Sequence, residues 1–452
     1  MTGVRWRHAF VVLLLLIVAV PVGAQTAEPA VRALLHNVTR VEAWSFFEPP
    51  DGGGDPDYTL AGNRARLAVQ VETSRFLFDG AFQYSQLVGL PDDAIGPGPL
   101  GPGALYFYSA GTPQAFQLYF KSMSLRLKNV LPRLSLQFGR MIYQSGENTP
   151  FAGRLIGGAD WTPFERAFDG ARLDYQRAAW RAHASFVMPT QGAYEESASP
   201  TIGKLQLATV ALHTPAVELF AHNYRDMRAV RARPDNTGLT ADAVDVNIQT
   251  VGASAVVNRF HLWGAWQTGD WYGNAHHAFS VSADGGHVWS DARWRPTVRG
   301  GLLYASGDAN PNDDHHGTFF PMIPTTQPDV LRGTYAQMNL RDLYARVTVF
   351  PRQRLQLGGE VHYLSLADHL DRWYSGTGAT AFDGEYFGYS TRRSTLQRAL
   401  GTYVQLSANT TINSHWTLGV STGVMRGGDV VRRQFFGHTL FVMAIENIIS
   451  LP

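Results

Sequence analysis

Segments of about ten residues that alternate apolar side chains with polar or small ones recur along this chain, the length and period of strands in a transmembrane β-barrel. In the run 64–72, Leu67, Val69 and Val71 share one face while Arg64, Arg66, Gln70 and Glu72 share the other. Leu355, Leu357, Val361 and Tyr363 oppose Gln356, Glu360 and His362. Val298, Leu302 and Tyr304 oppose Arg295, Thr297 and Arg299, and Trp416, Leu418 and Val420 oppose Thr417, Gly419 and Ser421. A soluble sandwich would turn the apolar face inward, whereas a membrane barrel turns it to lipid and surrounds water with the polar face. Alternation alone fits both.

The connections separate the two. Short turns fall at 74–75, 129–132, 177–179, 214–216, 258–259, 290–293, 351–354 and 413–415. Long connections fall near 49–61, 90–114, 144–166, 188–203, 228–243, 308–338, 367–397 and 427–434, with a tighter one near 271–276. Strict alternation of short and long connections is the asymmetry of an outer-membrane barrel. The expectation is an all-β transmembrane antiparallel up-and-down barrel of about 18 strands with long extracellular loops. The first strand is expected near 42–47, and the apolar stretch 435–449 is expected to close the barrel. Arg140 falls in phase with Leu134, Leu136 and Phe138, which places it at the rim or beside a bulge, and 116–128 changes phase midway. Trp263, Trp266, Trp271, Tyr272, Trp373 and Tyr374 are candidates for interface girdles.

The N-terminus reads as a secretory signal. Arg5, Arg7 and His8 precede the apolar run Phe10 to Val20, and Val22-Gly23-Ala24 offers a small-residue cleavage site before Gln25. That run is shorter than the ~20 apolar residues of a spanning helix. The expected division is a signal peptide over 1–24, a periplasmic segment over 25–40 and the barrel over 41–452. The chain has no cysteine, which excludes disulfides and thiolate chemistry and suits transit of an oxidising periplasm. A net charge of +1 gives no field for nucleic acid.

Positive charge is carried almost wholly by arginine, since among 38 basic residues only Lys121, Lys128 and Lys204 are lysine. Arg64, Arg66, Arg126, Arg172, Arg181, Arg295, Arg299 and Arg346 sit on polar strand faces. Guanidinium groups bind carboxylates through two parallel hydrogen bonds and are less strongly hydrated than ammonium, so such a lining suits an anionic solute held at many moderate sites. The alternative is that they pair with wall acids such as Glu72, Asp174 and Glu360.

Asp308, Asn310, Asn312 and Asp313 gather hard oxygen ligands, a candidate calcium site that lacks the glycine and distal glutamate of an EF-hand. No other cofactor is expected. His276-His277 and His315-His316 are adjacent pairs, which point to opposite faces of a strand and seldom share a metal. No Gly-x-Ser-x-Gly, His-Glu-x-x-His or P-loop motif occurs, so an enzyme is not expected.

Three stretches resemble the alginate-export family of outer-membrane proteins. They are Phe138-Gly139-Arg140 with Gly158 to Asp174, Tyr304-Ala305-Ser306-Gly307-Asp308 through 310–313 to Thr318-Phe319-Phe320-Pro321, and Asn339-Leu340-Arg341-Asp342-Leu343. The resemblance implies an 18-stranded barrel passing an anionic uronate polymer through an arginine-lined pore gated by loops and turns. It implies a lumen role for Arg172 with Asp174, and an outer lid or ion site at 308–314. The reading is a passive channel for an anionic oligo- or polysaccharide, with Arg66, Arg126, Arg172, Asp174, Arg181, Arg295, Arg299 and Arg346 as the binding lumen. Its rivals are a general or substrate-specific porin for small solutes, an outer-membrane hydrolase and a surface adhesin. Expected partners are outer-membrane lipid, the solute and, for export, periplasmic components.

Overall fold

The computed structural model describes residues 29–93, 101–147, 149–195, 197–228, 246–310, 312–325, 333–376, 378 and 389–452. Among them, eighteen strands form one closed antiparallel barrel. The first six are β1 (Ala30–Ser45), β2 (Asp57–Glu72), β3 (Phe76–Val88), β4 (Gln114–Leu131), β5 (Leu134–Met141) and β6 (Phe168–Arg177). The next six are β7 (Trp180–Pro189), β8 (Leu205–His213), β9 (Val217–Asp226), β10 (Val246–Val257), β11 (Phe260–Trp271) and β12 (Asn274–Val288). The last six are β13 (Thr297–Ala305), β14 (Leu340–Arg352), β15 (Leu355–Leu366), β16 (Ala399–Asn413), β17 (Trp416–Gly427) and β18 (Thr439–Leu451). Each strand pairs with its sequence neighbour, and β1 closes the ring on β18 from Leu35↔Leu451 to Ser45↔Phe441. Closure leaves no open sheet edge, so every strand satisfies its backbone within the barrel.

The faces separate as the alternation predicts. Val210, Val251, Leu343 and Tyr363 point outward and are more than half exposed. Polar partners one residue away, such as Thr209, Thr250 and His362, are buried inside the ring. A continuous exposed apolar belt around a polar interior is the reverse of a soluble protein and requires lipid. Among the described residues no helix is long and apolar enough to cross a membrane.

The eight short turns and the positions of the long connections agree with expectation; most of 228–243 lies outside the described residues, as does the expected signal sequence. Residues 30–40, expected to be a periplasmic segment, are the first two-thirds of β1 and pair in register with β2. Their alternation is weak around His36, Asn37 and Thr39, which obscured the strand. The phase change in β4 is a bulge: Ala81 pairs with Ser122 and Phe82 with Phe120, so Lys121 is the extra residue and turns inward. Arg140 lies on the outer face at the long-loop rim, where its guanidinium bonds both Asp169 carboxylate oxygens at 2.8 Å.

Of the six girdle candidates only Trp266 faces outward; Trp263, Trp271, Tyr272, Trp373 and Tyr374 are buried among the loops. Aromatic content marks the packing of the interior as well as an interface, which is why composition misassigned them. Trp289, Trp294 and Trp416, at the short-turn end, are exposed instead.

The barrel is partly filled by its own connections. The segment between β5 and β6 and the segment between β13 and β14 meet inside, where Ile156 and Ile323 pair in parallel. Gly157 N donates to Ile323 O at 2.9 Å, and Thr325 N donates to Gly153 O at 2.8 Å. A Cβ on Gly157 would lie 2.9 Å from the Thr325 backbone nitrogen, so the close approach requires glycine. Phe151, Leu155, Ile156, Phe319, Phe320, Met322 and Ile323 form one apolar core with inward residues of β8 to β12, among them Leu207, Tyr224 and Trp263. Opposite, helix α1 (Pro102–Ala110) packs Ala104 and Tyr106 against Trp44, Tyr58 and Leu60.

Candidate functional site: the charged barrel interior

Among the charge clusters that line the described interior, three hold the arginines read from the sequence, and loops enter each. In the first, Glu165 descends from the β5–β6 connection between strands β2 and β4. Its Oε1 accepts from Arg64 Nη1, and its Oε2 accepts from Arg66 Nη2 and lies 3.0 Å from Lys121 Nζ. Glu165 and Lys121 are almost wholly buried. Burial alone would raise the Glu165 pKa, but Lys121, Arg64 and Arg66 outweigh it and hold the carboxyl at about 2. Arg66 also donates Nε to Gln83 Oε1 at 2.8 Å. One carboxylate therefore answers three cations.

The second cluster joins β4, β6 and β7. Arg172 donates Nε to Asp174 Oδ1 at 2.8 Å and Nη2 to Glu147 Oε2 at 2.9 Å. Arg126 Nη2 stands 3.3 Å from Asp174 Oδ2. Arg181 Nη2 donates to the Glu147 carbonyl at 2.9 Å. Beside them, His213 Nε2 and His183 Nδ1 are 3.3 Å apart with their rings stacked.

The third cluster surrounds a cavity of about 330 Å³ bounded by β11 to β15 and the inward loops. Arg299 donates Nε to Asp284 Oδ1 at 2.8 Å, and His261 Nδ1 is 3.4 Å from the same oxygen. Arg346 Nη2 donates to Glu360 Oε2 at 2.8 Å. His362 bridges Asp342 at 3.0 Å and Glu360 at 3.4 Å. Arg154, from the β5–β6 connection, lies between the rings of Phe151 and Trp263, 4.9 and 4.8 Å from their centroids.

Seven of the eight residues expected in the lumen, Arg66, Arg126, Arg172, Asp174, Arg181, Arg299 and Arg346, face the interior in these clusters. Arg295 does not. It is exposed in the turn between β12 and β13 with φ 44°, and its guanidinium lies 5.1 Å over the Phe350 ring. Its phase with Thr297 and Arg299 fails because the strand begins only at Thr297. The pairing alternative holds for Asp174 and Glu360; Glu72 pairs instead with Lys128 at 2.7 Å. Sequence reading missed Glu165, Lys121, Glu147, Arg154 and Asp284. The three loop residues among them carry no period, and only their setting in a long connection marked them.

Asp308, Asn310 and Asp313 form successive side-chain turns. Their oxygens accept the backbone N–H of Asn310 at 3.2 Å, Asn312 at 3.4 Å and His315 at 3.0 Å. Among the described residues no three His, Asp or Glu converge as metal ligands. The start of this loop is held by Asp371, which accepts from Asp308 N at 2.9 Å, Thr318 Oγ1 at 2.6 Å and Tyr374 OH at 2.7 Å. Burial pushes the Asp371 carboxyl up to about 7. The adjacent histidines split as expected: His276 and His316 meet inside, Nδ1 to Nδ1 at 2.8 Å, while His277 and His315 form a separate ring contact at 6.3 Å.

A family model described as alginate export matches residues 117–437, which include all three stretches of the sequence resemblance. No curated protein matches the sequence. Among solved structures, Acinetobacter baumannii OccAB3 is similar at TM-score 0.56 and 9% identity, covering 93% of this chain and 99% of that one. Acinetobacter baumannii OccAB4 gives TM-score 0.56 and 10% identity over 94% and 99%. Pseudomonas aeruginosa OccK9 (OpdG) gives 0.55 and 10% over 94% and 98%. At such identities the likeness is one of fold.

Proposed function

Because this chain belongs to the alginate export family of outer-membrane proteins, we propose that it is a passive channel for an anionic oligo- or polysaccharide. It resides in the bacterial outer membrane and is a channel, not an enzyme. One observation carries the solute assignment: interior carboxylates are shared. Glu165 serves Arg64, Arg66 and Lys121, and Asp174 serves both Arg126 and Arg172. At these two sites cations outnumber carboxylates, and a local excess of positive charge of that kind favours anions over cations.

The small inner cavity, about 330 Å³, favours a second reading, a porin selective for small solutes. Recordings in planar bilayers distinguish the two. Block of the salt current by polyuronate at low concentration supports the first reading; indifference to polyuronate, with current through an open pore, supports the second.

A further inference from the structure

Three consecutive short turns of the barrel, at 258–259, 289–296 and 351–354, hold Arg259, Arg293, Arg295, Arg352 and Arg354, all of them exposed. The other five short turns hold three exposed arginines, Arg75, Arg133 and Arg177. Asp291 is the one acid in the three segments. The described contacts of the five are with rings and a carbonyl. Arg259 meets the His287 ring, Arg293 lies 5.3 Å over Trp294, Arg295 lies 5.1 Å over Phe350, and Arg354 Nη1 donates to Ile412 O at 3.0 Å. Among the described residues none of the five makes an ion pair.

The turns brace one another. Phe350 N donates to Trp294 O at 2.7 Å, and His287 packs edge-on against Trp289 with centroids 4.3 Å apart. Trp294 and Arg295 have φ of 70° and 44°, a left-handed backbone that is costly for a residue with a Cβ and persists where neighbours hold it. Apolar side chains sit beside the cations: Val257, Phe260, Val288, Trp289 and Trp294 are all exposed. Short turns of such a barrel face the periplasm, where the lipid-facing strands end among phospholipid headgroups. Arginine set among exposed apolar and aromatic groups is the pattern of a membrane–water boundary, with stems along acyl chains and charged heads at the phosphates. A soluble acidic partner would need the cations but not their apolar neighbours.

We infer that this arc of three turns binds anionic phospholipid of the inner leaflet and anchors that side of the barrel there. Five cations against one acid call for a headgroup of net negative charge, and guanidinium forks fit its phosphate. The surface lies outside the lumen, so it stands apart from the choice of solute.

The test uses the full-length protein refolded into phosphatidylcholine vesicles that carry a trace of spin-labelled phosphatidylglycerol or of spin-labelled phosphatidylcholine. The motionally restricted fraction of each label is compared, and heat-modifiable migration in gels checks that each variant is folded. Phosphatidylglycerol is expected to associate roughly threefold more strongly with the wild type. That preference should fall toward one in about 1 M salt, where charges are screened. Arg259→Gln combined with Arg293→Gln and Arg295→Gln is expected to remove most of it. Lys204→Gln, which takes away an exposed cation at the opposite, long-loop end, is expected to keep it. A wild type without preference, or an equal preference in the folded triple variant, overturns the inference. Should a wild type without preference cosediment with purified peptidoglycan, and the triple variant fail to, the occupant is the cell wall and not lipid.

Discussion

Lys121 Nζ lies 3.0 Å from Glu165 Oε2, a pair almost sealed from solvent that joins a bulge in the wall to the loop filling the barrel. With Arg64 and Arg66 on the same carboxylate, three wall cations hold this one loop residue. Removing one partner of a buried pair costs about 3–5 kcal/mol, because the remaining charge loses its counterion.

Glu165→Gln is therefore expected to loosen the β5–β6 connection. Single-channel recordings would show a larger or noisier conductance, and the wild-type level in a folded variant would refute the latch. The acid dependence has a definite sign. The carboxyl sits at about 2 in the folded protein, below its ordinary 4.5, so its contribution is complete above pH about 4.5 and is lost as pH falls toward about 2. Conductance noise should rise across that window in the wild type and stay flat there in the variant.

Gly157→Ala places a methyl group against the Thr325 backbone where the two inward loops pair. The Ile156–Ile323 bridge is expected to separate while the barrel stays intact. Limited proteolysis should then cut near 150–157 or 320–325 several times faster than in the wild type. Equal rates would mean that the bridge tolerates the side chain.

Arg172→Ala with Arg299→Ala removes two cations from separate interior clusters. The reversal potential in a salt gradient should shift toward cation preference. Arg295→Ala, on an exposed short turn outside the lumen, should leave it where it was. A shift from Arg295→Ala, or none from the double variant, would contradict the assignment of these residues to inside and outside.

Val347→Lys places a charge on the exposed belt near the middle of β14. For a lipid-facing midplane position the cost is about 2–4 kcal/mol. Urea unfolding from lipid vesicles would detect it. A loss near zero would mean that this face meets water.

The barrel was legible because a strand has a period of two and a membrane fixes which face is apolar. Every short turn from 74–75 to 413–415 follows from those constraints and from turn chemistry. Arg66, Arg126, Arg172, Arg181, Arg299 and Arg346 were legible for the same reason, since phase within a strand assigns a face. Arg295 was not, because phase has no meaning two residues before a strand begins. β1 was foreshortened because polar residues at 36, 37 and 39 interrupt its pattern.

Which charges meet was a different kind of question. Glu165 reaches Arg64 and Arg66 across about a hundred residues of chain, and Arg154 reaches Trp263 across a similar span. Sequence by itself determined the closed barrel, its orientation toward lipid and the arginine content of its inner wall, because these depend on local period and on the solvent. Only the tertiary structure decided where the loops enter and which wall cations they neutralise. Loop conformation has no period to read: it is settled by packing against walls that exist only once the ring has closed.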